Sequence, residues 1–435
     1  MTLADTLAGF ATAPVAADAR MRRFVDFSLA DWATVGLAGQ GEPVARAARQ
    51  MALGDSAGRG GATVIGGGRA APRAAALANG AISHALDYDD THFLHIGHPS
   101  VAVIPAALSV AEAAGASGPQ FLQALAVGLE TACRMGAWLG RSHYEAGFHQ
   151  TGTSGAFGAT AAAGRLLGLD RAAMAQALAL TATRAAGLKN QFGTMGKPLN
   201  AGFAAEIGVT CALLAQAGAD SAPQAIEGTH GFGATHAGSA QADAFEGLGS
   251  EWVFPDISYK FHACCHGLHA MLEAVESLMP LDAGSVSRVQ IRTHPRWLAV
   301  CNQPEPETGL QAKFSYRLTA AMRLAGVDTA ALDAYSAGTA ARPDLVALRD
   351  RVEVIGDSGL SDTQAVVVVD AGGDSLTVQH DLAVRLEPDL VEARLRAKST
   401  TLLSADAADA LWQAVEGLAD RSDLAVFSGL IGRAL

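Results

Sequence analysis

The chain has 435 residues, 50% of them hydrophobic and 17% charged, and a formal net charge of −12. This composition excludes a disordered chain, and an acidic chain without a basic stripe excludes a nucleic-acid-binding surface. A small anionic ligand stays compatible with it, because one buried lysine or arginine sets the local field of a pocket. The length exceeds what one hydrophobic core usually supports, so two domains are expected.

The cellular location is predicted from three features. The N-terminal residues lack a basic region followed by an apolar core, which a secretory signal needs. Charges or glycines interrupt the apolar stretches before they reach the roughly 18 residues of a membrane span. Five cysteines, an odd number in a long chain, fit a reducing compartment better than a disulfide framework. We therefore expect a cytoplasmic protein without a membrane span.

Residues 1–256 have the alanine-rich composition and the periodicity of helices. Ser117 is the expected N-cap of one helix, with Pro119 in its first turn. Further on, Gly168 is expected to end a helix and Asp170 to cap the next, which makes a helical hairpin. Several of these segments are apolar on nearly every face, which is typical of helices buried among other helices. A large all-helical domain is predicted.

The pattern changes in residues 257–388. Short β-branched runs bounded by Gly, Asp or Pro predict strands at "SVSRVQIRTH", "RVEVIGD", "QAVVVVDAGG" and "SLTVQHDL". The segments "SYRLTAAMRLAG" and "TAARPDLVALRD" predict helices between them. This region is predicted to be a smaller α+β domain. Residues 389–435 return to helical spacing and are expected to rejoin the first domain, so the predicted fold class is mainly α.

The densest group of chemically active side chains lies in "HALDYDDTHFLHIGHPS", residues 84–100. Its members are Asp87, Asp89, Asp90, Thr91, His92, His95 and His98. Carboxylates with imidazoles are the usual ligands of divalent metals, and they are also the usual general acids and bases near neutral pH. A metal site and an acid/base site are both compatible with the stretch, and a solvated polar loop is the alternative.

The local structure of this stretch is predicted from its end. Gly97 and Pro99 disfavour a continuing helix, so we expect a helix C-terminus that runs into a loop carrying His98. In the helical part, His92 and His95 would share one face because they are three residues apart. These two imidazoles are expected to be solvated rather than functional.

A second candidate is the lysine in "GTMGKPLNAGFAA", residues 193–205. Proline fits the first turn of a helix, so Lys197 is predicted to lie just before the N-terminus of the helix that follows. Helix amides and a cation in one place form a site for a carboxylate or a phosphate. An exposed lysine in a turn is the alternative.

A third candidate is "YKFHACCHGLHAMLEA", residues 259–274. Its potential ligands are His262, Cys264, Cys265, His266 and His269. Zinc is disfavoured, because adjacent cysteines chelate one tetrahedral ion poorly and no second ligand pair follows. Buried structural thiols are the alternative. Elsewhere, "VIGGGRAAP" matches neither a dinucleotide fingerprint nor a phosphate-binding loop, and the sequence has no GxSxG elbow.

Taken together, these motifs resemble the MmgE/PrpD family. "HALDYDDTH", "HPSVAVIPA", "GTMGKPLNAGFAA", "YKFHACCHGLHAMLEA" and "KFSYRLTAAM" occur in the family's order. The family includes 2-methylcitrate dehydratases, cis-aconitate decarboxylases and iminodisuccinate epimerases. The resemblance implies a large helical domain with a smaller α+β lid, a homodimer, and action without metal or organic cofactor on small polycarboxylates.

The resemblance also implies which residues form the site. The family's catalytic pattern falls on Asp87, Thr91, His98, His149 and Lys197, with Cys265 or His266 contributed by the lid. Substrate contacts are expected from Lys197, Asn200, His269 and Tyr316. No metal ligand is expected.

Two departures from the family bear on the substrate. Many members have histidine where this chain has Asn200, and methylcitrate dehydratases carry a "WGHPSDN"-like segment where this chain has "IGHPSVA". The chain is also shorter than those dehydratases. These differences favour the branch with decarboxylases and epimerases over 2-methylcitrate dehydratase.

The implied reaction is proton abstraction next to a carboxylate of a small di- or tricarboxylate. The carbanion that forms needs electrostatic stabilisation, which Lys197 beside a helix N-terminus suits, and Thr91 can add a hydrogen bond. An imidazole, His98 or His149, can transfer the proton at neutral pH. Asp87 would orient an imidazole or act as a base.

Three other functions stay open from sequence. One is an iminodisuccinate-type epimerase specifically, and another is a metallohydrolase built on the Asp/His cluster. The third is a polycarboxylate-binding protein without turnover, which the density of acid/base residues disfavours. Sequence does not separate dehydration, decarboxylation and epimerisation, because all three begin from similar carbanion-like chemistry.

Overall fold

The chain begins with a series of helices in the computed structural model, which describes residues 1–15, 17–55 and 61–434. The bounds of these helices are α1 (Leu3–Thr12), α2 (Ala19–Gly39), α3 (Pro43–Asp55), α4 (Pro72–Ser83), α5 (Ser100–Ala114), α6 (Gly118–Glu145), α7 (Gln150–Leu166), α8 (Arg171–Arg184), α9 (Gly196–Gln216) and α10 (Phe232–Thr235). Between α3 and α4, the short strands β1 (Ala62–Thr63) and β2 (Arg69–Ala70) pair antiparallel. This hairpin is not among the predicted elements.

Two of the predicted helix boundaries are confirmed by their capping contacts. The Ser117 hydroxyl accepts a hydrogen bond from the Gln120 amide at the start of α6, and Pro119 lies in the first turn. Between α7 and α8, Gly168 adopts a positive φ of 69°, and the Asp170 carboxylate caps α8 by accepting from the Ala173 amide. Local side-chain chemistry therefore determines where these helices begin and end.

Small residues let the central helices approach each other closely. A Cβ atom on Gly128 of α6 would lie 2.8 Å from the carbonyl oxygen of Gly158 in α7. A Cβ atom on Gly80 of α4 would lie 2.8 Å from the Cα atom of Gly202 in α9. Because Gly80 lies near the end of α4 and Gly202 near the start of α9, this contact brings together the two chain segments next to it, after α4 and before α9.

Helix α9 is the most membrane-like helix by composition among the described residues. It is long and apolar enough to cross a membrane by length and hydropathy alone, but 72% of its apolar window is buried within the protein. It packs against α4, α5, α7 and α8. This burial is typical of a core helix, which satisfies the same length and hydropathy test.

The smaller unit, Lys260–Glu387, contains a mixed sheet and short helices. Its elements are α11 (His269–Glu276), β3 (Val286–Thr293), α12 (Gly309–Ala312), α13 (Tyr316–Leu324), α14 (Ala337–Ala340), α15 (Pro343–Arg349), β4 (Val352–Gly356), β5 (Gln364–Ala371) and β6 (Asp374–Asp381). The strand order is β4-β3-β5-β6, with β3 and β4 parallel and the other neighbours antiparallel. Helix α11 packs on β5 and β6. All four strands predicted in this region are confirmed.

The chain ends in three further helices, α16 (Pro388–Leu402), α17 (Ala405–Glu416) and α18 (Ala425–Ile431). Residues from Pro388 onward belong to the same compact unit as Met1–Tyr259, and α16 and α17 pack against α2. The architecture is mainly α with a smaller α+β unit, as the sequence predicted.

A buried ion pair joins α16 to α2. The Lys398 ammonium donates to the Asp31 carboxylate at 2.6 Å and to the carbonyl oxygen of Tyr88 at 2.7 Å. Lys398 is 3% exposed and Asp31 is 2% exposed. The ammonium also lies 4.1 Å from the centroid of the Tyr88 ring. The pair therefore holds the backbone of residue 88, which lies in the histidine- and aspartate-rich stretch.

Replacing Lys398 by methionine is expected to lower the free energy of unfolding by about 3–5 kcal/mol, because Asp31 would remain buried without a counter-charge. Urea unfolding followed by circular dichroism would measure the loss. The double variant Asp31→Leu/Lys398→Met, which removes both charges, is expected to recover much of it. A single variant that costs less than about 1 kcal/mol would contradict this account of the pair.

Candidate active site

The candidate site lies where four helices of the larger unit begin or end. His84 is the C-cap of α4, and the chain then runs without regular structure to Ser100, where α5 begins. His149 is the N-cap of α7, and α9 begins at Gly196. The N-termini of three helices thus meet the chain that leaves α4. Unpaired amides and helix dipoles at such ends favour anions.

The path of residues 84–99 differs from the prediction. Helix α4 ends at Ser83, so the expected helix does not extend into this stretch. Asp87 and Ile96 adopt positive φ values of 52° and 54°, which a helix does not allow. Long-range contacts impose this path, as for the His98 amide, which donates to the Thr151 hydroxyl at 3.0 Å.

The expectation that His92 and His95 are solvated is wrong. They are 2% and 0% exposed. His92 Nε2 lies 2.9 Å from the carbonyl oxygen of Val253, and His95 Nε2 lies 3.0 Å from the Ser154 hydroxyl. Burial lowers the pKa of His95 to about 3, so its imidazole is neutral. Both histidines hold the stretch in place.

Four other side chains of this stretch form a series of close polar contacts together with Lys197. His84 Nδ1 lies 2.8 Å from Asp89 Oδ1, and His98 Nδ1 lies 2.9 Å from Asp89 Oδ2. His98 Nε2 lies 3.6 Å from Asp87 Oδ1, and Lys197 Nζ lies 2.6 Å from Asp87 Oδ2. We call this series, His84–Asp89–His98–Asp87–Lys197, the relay. Its alternating acids and bases suit proton transfer.

Asp89 is the centre of the relay. Burial by itself would raise the pKa of Asp89, but the imidazoles of His84 and His98 hold it well below its usual range. An ionised carboxylate can only accept hydrogen bonds, so His84 donates to it from Nδ1, and His98 Nδ1 makes an ion-pair contact with its other oxygen. In the neutral form of His84 the lone pair is then on Nε2. Within the described residues, this Nε2 atom is buried without a hydrogen-bond partner.

His149 lies beside the relay. Its ring stacks at 6.1 Å from that of His84 and meets the Phe192 ring edge-on at 4.9 Å, measured between centroids. Its Nδ1 atom lies 3.1 Å from the Asn200 amide nitrogen, and its Nε2 atom is buried without a partner. Burial and then the charge of Lys197 lower the pKa of His149 well below 6.5, so the imidazole is neutral at physiological pH.

The position of Lys197 differs slightly from the prediction. The helix begins at Gly196, so Lys197 lies within the first turn of α9 rather than just before it. Its ammonium lies 5.3 Å from the centroid of the Phe192 ring in addition to its contact with Asp87. The lysine, an aromatic ring and a helix N-terminus therefore occur together, and the structure does not support the alternative of an exposed lysine in a turn.

The relay also contains the ligand atoms of a potential metal site. One atom each from His84, Asp87, Asp89 and His98 lies within 4.8 Å of the others. Two imidazoles and two carboxylates suit several divalent ions. However, Asp87 already contacts the Lys197 ammonium, and Asp89 already contacts both imidazoles. A metal ion here would place two cations on one carboxylate, so the arrangement fits a lysine-centred anion site better.

Thr91 and Asp90 belong to the support of the site. The Thr91 amide and hydroxyl donate to the carbonyl oxygen of Ser258, at 2.8 Å and 3.4 Å. Asp90 is buried, and its carboxyl group accepts from the hydroxyls of Ser28 and Ser100. Its side chain therefore contacts the first residue of α5. Burial raises the pKa of Asp90 to about 7. The catalytic role expected for Thr91 stays a prediction.

Asp90 gives a pH-dependent contribution to stability. Its folded-state pKa of about 7 exceeds the roughly 3.9 of an unfolded aspartate, so the folded chain keeps the proton that the unfolded chain loses. Stability from this group therefore falls as pH rises from about 4 to about 7. Asparagine does not titrate, so the free energy of unfolding of Asp90→Asn should not fall in this way. Relative to the wild type, it is expected to rise by a few kcal/mol as the pH is raised from 4.5 to 8, measured by urea unfolding. Asp220→Asn, at an exposed position, should show no such gain.

The other expected site residues lie in the smaller unit. Cys265 and His266 are half-buried, and His269 is buried with no hydrogen-bond partner at Nε2. Tyr316 is fully buried, and its hydroxyl donates to the carbonyl oxygen of Gly267 at 2.6 Å. That bond holds the turn at His266, and a substrate contact by Tyr316 stays a prediction. Burial raises the pKa of the neighbouring Cys264 thiol to about 12, which fits a structural cysteine.

Sequence reasoning assigned no role to His84 and Asp89, and it did not predict that Lys260 is buried. His84 and Asp89 stood inside the dense stretch, but nothing in it showed that Asp89 contacts two imidazoles. Lys260 is 2% exposed, although lysine is rarely buried in proteins. Its signal was its place between two aromatic residues in "SYKFHACC", where a surface lysine is unusual.

Comparisons with known proteins agree with this architecture. Residues 2–244 match the MmgE/PrpD N-terminal domain, and residues 262–420 match the MmgE/PrpD C-terminal domain. The two matches together cover most of the chain. The chain belongs to the MmgE/PrpD family.

Several relatives carry more specific names. The cis-aconitate decarboxylase-like protein oryM of Aspergillus oryzae is 33% identical over 268 residues, which are 58% of this chain and 55% of that protein. The cis-aconitate decarboxylase of Aspergillus terreus is 33% identical over 231 residues, 49% of this chain and 47% of that protein. Cis-aconitate decarboxylase of Homo sapiens is 27% identical over 391 residues, which are 83% of this chain and 80% of that protein. The matched part spans about half the length of the two fungal proteins.

Proposed function

We propose that this chain is a lyase that decarboxylates cis-aconitate or a closely similar unsaturated tricarboxylate. The observation that carries the proposal is the position of Lys197, whose ammonium lies in the first turn of α9 and contacts the relay through Asp87. The names of the fungal and human relatives support the choice of decarboxylation over dehydration and epimerisation.

The site has the electrostatic features that a polycarboxylate needs. The N-termini of α5, α7 and α9 supply amide groups and positive dipole ends, and Lys197 supplies a full positive charge. The relay carboxylates are held by cationic or N–H groups, so they do not face an incoming anion unpaired. A carboxylate that binds the lysine would loosen its contact with Asp87.

Decarboxylation of such a substrate is balanced by one proton. The bond between carbon and one carboxylate breaks, and CO₂ leaves. The electron pair stays on the substrate and spreads through the double bond into a remaining carboxylate, and a carbon atom then takes up a proton. The product is a five-carbon unsaturated dicarboxylate. Lys197 stabilises the charge that develops on the carboxylate. His98 Nε2, once it has taken up a proton from solvent, is the relay atom suited to deliver that proton to the carbon.

The proposal is tested by proton and carbon NMR of purified enzyme with cis-aconitate in D₂O. The expected result is a new pair of vinyl proton signals, release of CO₂ and one deuterium in the product. Loss of water from 2-methylcitrate, or deuterium entering iminodisuccinate without loss of carbon, would instead assign dehydratase or epimerase chemistry. Activity that EDTA abolishes and a divalent metal restores would favour the metal-dependent alternative.

A further inference from the structure

The site contains one imidazole that differs in orientation from the others. His84 and His98 each have Nδ1 within 2.9 Å of the ionised carboxylate of Asp89, so a neutral imidazole held there keeps its proton on Nδ1 and its lone pair on Nε2. His149 instead directs Nδ1 at the side-chain amide of Asn200, at 3.1 Å. Which ring nitrogen of His149 carries the proton therefore depends on which end of that amide faces it.

The carbonyl of Leu188 decides the orientation of the Asn200 amide. The same amide nitrogen that faces His149 also lies 3.4 Å from the carbonyl oxygen of Leu188, which can only accept a hydrogen bond. If the amide were turned over, its oxygen would face the Leu188 oxygen, and two acceptors would oppose each other. The nitrogen must therefore be the shared atom, and it donates to both groups.

We infer that Asn200 is a positioning residue that holds His149 as the neutral tautomer with its proton on Nε2. The Asn200 amide donates to Nδ1, so Nδ1 is the acceptor and Nε2–H is the donor. The Nε2 atom is buried and has no hydrogen-bond partner among the residues that the structure describes, so this N–H is available to a bound ligand. His149 thus presents the opposite hydrogen-bonding character to a neutral imidazole held by Asp89.

The surroundings of His149 keep it neutral. The charged and titratable groups that face it are Lys197, His84, His98 and Asp87. Burial and the Lys197 ammonium both disfavour an imidazolium, and they outweigh the attraction of Asp87. A neutral imidazole that donates from Nε2 acts as an electrophile rather than as a base.

The role in turnover rests on the proposed function. The Nε2–H group of His149 would donate to the substrate carboxylate oxygen on which negative charge accumulates after CO₂ leaves. If Nε2 of His149 carried a lone pair instead of a proton, it would repel that oxygen and could not stabilise the negative charge. Asn200 would thus act through His149 without contacting the reacting atoms.

The tautomer is measured without any substrate, on full-length protein labelled with ¹⁵N-histidine, by long-range proton–nitrogen correlation NMR. The His149 signals are identified by their absence in His149→Gln. We expect a protonated Nε2 and an unprotonated Nδ1, unchanged from pH 8 to pH 5.5. In Asn200→Asp, whose carboxylate can only accept, we expect the proton to move to Nδ1 and the imidazole to titrate at higher pH.

Turnover provides the second measurement. Asn200→Asp is expected to lower kcat on cis-aconitate by about 10²-fold with a smaller change in KM, because the lost bond strengthens only in the transition state. Asn200→Ser keeps a donor near Nδ1 and should restore part of the rate and the original tautomer. The matched control is Asn190→Asp, the same charge change at an exposed position of the preceding turn, which should affect neither.

Two results would overturn the inference. One is a wild-type His149 with its proton on Nδ1, and the other is an Asn200→Asp variant in which the tautomer does not change. Neither result depends on which substrate the enzyme uses. If the tautomer is as expected but cis-aconitate is not consumed, the proposed function fails while the assignment of Asn200 stands.

Discussion

Replacing Lys197 by alanine is expected to lower kcat/KM for cis-aconitate at least about 10³-fold. One donor that stabilises developing negative charge is typically worth about 10²–10³ in rate, and this ammonium also provides the fixed charge that binds the substrate. The rate of CO₂ release under single-turnover conditions would measure the effect on the chemical step. The fluorescence or NMR titration of a non-reacting tricarboxylate would measure the effect on binding.

The chain offers a matched control for this variant. Lys189 lies eight positions earlier, donates to the carbonyl oxygen of Tyr144 and lies over the Tyr144 ring. Lys189→Ala removes the same charge from the neighbouring turn and should keep most of the activity. If Lys197→Ala retains more than about a tenth of the wild-type rate while Lys189→Ala is normal, charge stabilisation at Lys197 is not the basis of turnover.

The second large effect is expected for Asp89→Asn. Asparagine has nearly the same shape, but its amide cannot accept from two Nδ1–H groups at once, so at least one of His84 and His98 would change tautomer. Loss of a correctly oriented proton-transfer group typically costs about 10²–10⁴ in kcat. The pH profile of kcat should change shape as well, because the imidazoles lose the negative charge between them.

The neighbouring aspartate is the control for that experiment. Asp90→Asn makes the same chemical change one residue away, at a carboxyl group that burial already keeps largely protonated below neutral pH. We expect its activity to stay within several-fold of the wild type. Equal losses in the two variants would mean that the stretch tolerates no substitution and that the relay has no separate role.

The sequence predicts the parts of this fold that depend on neighbouring residues. Ser117 and Asp170 cap helices because their side chains reach amides three residues away. The strands of the smaller unit follow β-branched runs with clear turn residues at their ends. These signals are local, so the helix caps and strands can be predicted without knowing any long-range contact.

The site depends on contacts that are distant in the sequence. His95 was expected to be solvated on one face of a helix, but it is buried against Ser154, 59 residues away. Asn200 reaches His149 across 51 residues. The resemblance to a family brought Asp87, His98, His149 and Lys197 into one group. The structure places three of these side chains in the relay and His149 beside it. The resemblance could not show that Asp89 contacts two imidazoles.

The buried lysine of α16 has a consequence for how the enzyme is divided. Every member of the relay lies before residue 245, within the matched N-terminal domain, yet the carbonyl group of Tyr88 between Asp87 and Asp89 is held by Lys398. A fragment that stops before Pro388 would contain the whole relay and lack this anchor. Such a fragment should therefore hold residues 84–99 less firmly, because this stretch reaches its final shape only once α16 is present to donate to the carbonyl oxygen of Tyr88.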